Sequence, residues 1–165
     1  QHTRGIWIPL GAVYSLLVMA FPLGVWLSAG RNRPLAVSAF LIAAAAGAHL
    51  YWPPVHMRGE GLSFTDVLHQ IWALATLVFI LLAVGFGARA LGREFRRYSR
   101  MTLIAIAAFT ALTVVQGVRY LYGLPTPWIG VWERAAIALF LLWIMVLAVK
   151  LLGRERCRGQ GVTSR

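Results

Sequence analysis

Charge is what this sequence has least of. Only 13% of its 165 residues are Asp, Glu, Lys or Arg, against roughly 25% in a soluble domain. That deficit excludes an ordinary water-soluble fold. Acid is scarcer than base, with 5 Asp and Glu against 16 Lys and Arg. Cysteine is nearly absent. The one present, Cys157, excludes an internal disulfide and a thiolate metal cluster, and in its basic surroundings it reads as a plain surface thiol.

What fills the chain instead is apolar. Hydrophobic residues make up 59% of it, and uncharged runs cover residues 5–30, 34–55, 70–88 and 101–118. Each run reaches the roughly 18 to 20 residues that cross a hydrocarbon core. A fifth run, 135–149, reaches full length if Glu133 and Arg134 lie inside the helix. The expected fold is all-α, a polytopic transmembrane helical bundle. Its five spans lie at about 6–28, 35–52, 66–90, 100–120 and 127–152, within a single domain over 1–152. Residues 153–165 are expected to form a disordered basic tail. Pro22 predicts a kink in the first span. Pro34 suits the first position of the second, and Pro53-Pro54 stops it. Thr126 is the expected N-cap of the last span, with Pro127 at its first position. The small residues from Ala43 to Gly47 suit close helix contact.

The basic residues fall in the short connections between spans, not on one continuous face, which argues against nucleic acid. Arg31, Arg33, Arg89, Arg93, Arg96, Arg97, Arg100, Lys150, Arg154, Arg156, Arg158 and Arg165 lie on one side of the membrane. Only Arg4, Arg58, Arg119 and Arg134 lie on the other. The richer side is expected to be cytoplasmic. The N-terminus of the chain is then outside and the C-terminus inside. An outward N-terminus calls for an upstream span, so the chain reads as a fragment of a six-span protein. Membrane lipids are the expected partners, and residues 91–100 put four Arg within reach of anionic headgroups.

Polar residues gather at the external helix ends: His49, His56, Glu60, Asp66, His69, Gln116, Arg119, Glu133 and Arg134. Asp66 and His69 share a helix face. A carboxylate beside an imidazole suits catalysis or metal binding. Ser63-x-x-Asp66 equally resembles a capping box. His69 lies a turn deeper, where a polar side chain needs a partner. Glu133 lies about 9 Å along a helix starting at Pro127, deep enough to need a partner as well. Arg119 or Arg134 would make it a structural ion pair. With His69 and Asp66 it would form a catalytic group. His56, Asp66, His69 and Glu133 supply enough donors for a metal ion, although their spacing matches no zinc signature. A haem held by His49 and His69 is the weaker fit. Trp52, Tyr120, Tyr122 and Trp128 suit an aromatic interfacial belt.

Several stretches carry a family resemblance. They are Thr3-Arg4-Gly5-Ile6-Trp7-Ile8-Pro9-Leu10, His56-Met57-Arg58-Gly59 and Leu62-Ser63-Phe64-Thr65-Asp66-Val67-Leu68-His69. Gly85-Phe86-Gly87-Ala88, Phe95-Arg96-Arg97-Tyr98-Ser99 and Leu124-Pro125-Thr126-Pro127-Trp128-Ile129-Gly130-Val131-Trp132-Glu133-Arg134 follow. Together they resemble bacterial and archaeal membrane proteins grouped as domain-of-unknown-function family 998. The resemblance covers nearly the whole chain. It implies a polytopic membrane protein of six helices without an assigned reaction, and it draws attention to His56, Asp66, His69, Glu133 and Arg134.

Three functions compete. The first is a non-enzymatic membrane protein whose external polar residues form an internal network. The second is a membrane-embedded, metal-assisted hydrolase acting on lipid headgroups. The third is a small transporter, disfavoured because the midplane of the first four spans has almost no polar residue. Glu133 separates the first two. If it is ion-paired, Glu133→Gln should lower the melting temperature in detergent by a few kcal/mol equivalent. Arg119→Leu or Arg134→Leu should then partly restore it. If Glu133 belongs to a site, Glu133→Gln should melt like the parent.

Overall fold

The computed structural model describes residues 4–48, 50 and 63–162. Every regular element among them is helical: α1 (Arg4–Ala29), α2 (Arg33–Ala48), α3 (Phe64–Ala90), α4 (Arg93–Leu121) and α5 (Ile129–Val162). The spans Phe64–Ala90, Arg93–Tyr120 and Ile129–Glu155 are long and apolar enough to cross a membrane. At 1.5 Å per residue they rise about 40 Å, more than the roughly 30 Å of a hydrocarbon core. Leu16–Ala29 and Arg33–Ala48 are shorter apolar helical segments. Large hydrophobic side chains such as Leu17, Leu27, Phe40, Ile104 and Val149 stand exposed. In water such a surface would be untenable, whereas lipid tails cover it. The protein is an all-helical, multi-pass membrane protein.

The chain divides into two compact units, residues 1–86 and 87–165. In the first, α1 packs on α2. The turn between them is set by two residues. Gly30, at φ +52°, follows the last residue of α1 in the left-handed conformation that glycine tolerates. Asn32 caps α2, its Oδ1 accepting the Leu35 backbone N–H at 3.3 Å. The helix thus starts one residue before Pro34, on a cap of a favoured type. Of the small-residue run, Ala45 and Ala46 are buried, whereas a side chain added at Gly47 would meet no neighbour.

Two hydrogen bonds join α2 to α3. Ser38 Oγ donates to the Ala83 carbonyl at 2.8 Å, with both residues fully buried. The Trp72 indole donates to the Ala48 carbonyl at 2.7 Å. Ala48 ends α2, so its carbonyl has no partner within its own helix, and the indole supplies one. An early residue of α2 meets a late one of α3, and the last of α2 meets an early one of α3. The two helices therefore run antiparallel.

The second unit is an α4–α5 hairpin. Trp143 Nε1 donates to Ser99 Oγ at 2.9 Å in a fully buried pair. The Trp143 ring also lies 5.9 Å from that of Phe95 and 6.2 Å from that of Phe140. Further along, Phe109 stacks on Trp132 at 5.8 Å. At the opposite end Lys150 pairs with Glu94 at 3.6 Å. This order of contacts is antiparallel. The basic segment expected as a connection is in fact the first two turns of α4, which starts at Arg93. Phe95, Ser99, Thr102 and Ile106 are buried at helical spacing while Arg93, Arg96, Arg97 and Arg100 are exposed, so packing holds as helix what charge alone marks as loop. Similarly α5 continues to Val162, past residue 152 and through the stretch expected as a tail.

The hairpin's turn is a Schellman motif. Leu124 N–H donates to the Arg119 carbonyl at 2.9 Å and Gly123 N–H to the Tyr120 carbonyl at 3.0 Å, with Gly123 at φ +71°. Helix α5 then begins at Ile129, where Trp132 N–H donates to the Trp128 carbonyl. That is two residues beyond Pro127, since 127–128 form a turn. Within the spans, Thr76, Thr102 and Thr113 each donate to the carbonyl four residues back, which meets their polar need inside the helix.

Ser99→Ala removes the hydroxyl that accepts from the Trp143 indole. It should destabilise the detergent-solubilised protein by about 1–3 kcal/mol. Adding Trp143→Phe should cost less than the sum of the two single changes, as read by a double-mutant cycle of thermal melts. Strict additivity would refute the pairing.

Candidate functional site at the polar helix ends

The start of α3 is a reciprocal cap. Ser63 N–H and Ser63 Oγ both donate to Asp66 Oδ2 at 2.9 Å, and Asp66 N–H donates to Ser63 Oγ at 3.3 Å. Ser63 Oγ also lies 2.8 Å from Thr65 Oγ1. Asp66 is buried at 8% exposure, where a carboxylate beside first-turn N–H groups is favoured by the helix dipole. The capping reading of Ser63-x-x-Asp66 is thus realised in detail. His69 is half-buried one turn further on, on the same face as Asp66. His49, His56 and Glu60 lie outside the described residues, as does Trp52. Within neither unit do three His, Cys, Asp or Glu gather about a common point among the described residues. Asp66 and His69 belong to the first unit and Glu133 to the second.

Glu133 is exposed in the second turn of α5, about 6 Å along the axis from Ile129. The two guanidinium groups expected to pair with it are directed to carbonyls. Arg134 Nη1 donates to the Gly130 carbonyl at 3.0 Å, and Arg119 Nε to the Pro125 carbonyl at 3.4 Å. Adjacent residues on a helix do not face one another, which accounts for Arg134. Arg119 is occupied with the turn. Its backbone carbonyl accepts from Leu124 while its side chain reaches Pro125. Gly130 leaves room for this contact, which a side chain would displace at little cost because the guanidinium is the far end of a flexible, exposed side chain. A Cβ there would sit 2.7 Å from Arg134 Nη1, so the guanidinium can lie over the first turn of α5 only while that side chain is absent.

Tyr122 and Trp128 are exposed and Tyr120 half-buried at the same end, as an interfacial aromatic belt requires. Gln116 Oε1, by contrast, is buried in α4 without a hydrogen-bond partner among the described residues. Sequence reasoning missed the Arg134–Gly130 contact. It also missed Ser38 and Trp143, which stand as polar groups in apolar stretches, and Ser99, which lies among Arg96, Arg97 and Arg100 and carries no such signal.

The family described as "Protein of unknown function (DUF998)" matches residues 1–150. The chain belongs to this family. No curated protein matches it. No solved structure does so either. Family membership agrees with a multi-pass membrane protein and assigns no reaction.

The Ser63 hydroxyl takes part in three of the contacts at the start of α3. Ser63→Ala should therefore destabilise the protein by about 1 kcal/mol in a detergent melt. A melt identical to that of the parent would exclude a structural role for the cap.

Proposed function

We propose that this family member is a structural, lipid-interacting membrane protein. Its polar residues at the external helix ends hold helix termini and turns in place. The observation that carries this reading is the Ser63–Asp66 reciprocal cap, in which the best-placed acid is committed to its own helix. Arg119 and Arg134 support it, since both spend their donors on carbonyls of nearby turns. A hydrolase would instead need Asp66, His69 and Glu133 free to converge on a metal or a substrate.

The orientation follows from the charge distribution. The connection 91–92 and the Arg-rich first turns of α4 face the cytoplasm, and the connection 122–128 faces outward. The membrane is the plasma membrane of a prokaryote.

In a Cys157→Ser background, a cysteine introduced at Gly123 should react with an impermeant thiol reagent on intact cells, and one at Gly92 only after permeabilisation. The reverse pattern would overturn the orientation. In the same preparations, purified full-length protein should carry no stoichiometric metal. A tightly held metal ion would replace this reading with the hydrolase.

A further inference from the structure

At the end of the α4–α5 hairpin opposite its turn lies a wide-open surface cavity of about 320 Å³. Leu91, Gly92, Arg93, Glu94 and Phe95 line it from the α4 side, and Lys150 and Arg154 from α5. Three cations thus surround a cavity that contains one acid. Lys150 Nζ holds that acid at 3.6 Å, yet Glu94 is 92% exposed and Lys150 half-exposed. An exposed pair of this kind is weak, so a stronger anion can replace the carboxylate.

We propose that this cavity binds the phosphate of an anionic phospholipid, with Arg93, Lys150 and Arg154 as its cationic walls. Their number and chemistry suit a phosphodiester that carries a net negative charge. The first turn of α4, which has no side-chain cap, adds backbone donors of the same sign. Position selects a lipid over a free phosphate. The cavity sits where the apolar spans Arg93–Tyr120 and Ile129–Glu155 end, which is the depth of headgroups. Met145, Val149 and Leu152, exposed at successive turns of α5, continue from that end as apolar surface on which an acyl chain can lie. Buried Phe95 and Leu91 complete the floor with apolar atoms. The reading needs the membrane but neither orientation across it nor any role for the opposite helix ends.

The test is native mass spectrometry of the full-length chain in detergent, titrated with phosphatidylglycerol, phosphatidylcholine or inorganic phosphate. One phosphatidylglycerol should be retained in preference to phosphatidylcholine, and inorganic phosphate should not displace it. Arg93→Gln and Lys150→Gln should each weaken retention about fivefold. Arg96→Gln and Arg97→Gln, which remove exposed charges of the same sign outside the cavity, should leave it unchanged. Glu94→Gln removes the competing carboxylate and should strengthen retention, which keeps the test decisive if a cation variant fails to fold. Three results would each overturn the proposal: equal losses from the cavity and control variants, equal retention of the two lipids, or no gain from Glu94→Gln. Displacement by inorganic phosphate would overturn its assignment to lipid.

Discussion

A polar atom inside a bilayer has no water to fall back on, and this constraint shapes the buried hydrogen bonds between the helices. The buried indole of Trp143 meets it through Ser99. The orphan carbonyl at the end of α2 meets it through Trp72, and Ser38 meets it at Ala83. The span threonines meet it within their own helices. Because lipid is as apolar as leucine, burying hydrocarbon supplies little drive for one helix to choose another. The few polar contacts therefore decide which faces meet.

That division of labour explains what the sequence could reveal. Lipid imposes a simple compositional rule, so long uncharged runs betray spans without any knowledge of packing. The all-helical, multi-pass class was legible for this reason, and the family through motifs such as the stretch from Leu124 to Arg134. Helix boundaries were less so. Hydropathy marks where apolar residues stop, whereas α4 begins at Arg93 because Phe95 and Ser99 pack on Trp143 beyond that point. Likewise α2 starts at Arg33 on the Asn32 cap rather than at Pro34.

The polar helix ends show the same limit more sharply. The Ser63–Asp66 box is a local pattern of four residues, and local patterns can be read directly. The expectation for Glu133 rests on depth: a carboxylate well inside a span needs a partner, and Arg119 or Arg134 would supply it. In the structure α5 starts at Ile129 and Glu133 is exposed, while Arg134 takes the Gly130 carbonyl and Arg119 that of Pro125. Depth depends on where a helix starts, and turn geometry sets that start.

The Schellman turn at Gly123 bears on how the protein is made. It closes α4 onto α5 with backbone hydrogen bonds and few residues, so the two helices can meet as soon as both have left the ribosome. Ser99 and Trp143 satisfy each other inside the same hairpin, towards its other end. Pairing of these two spans is thus a matter between neighbours in the sequence, with Gly123 at the reversal.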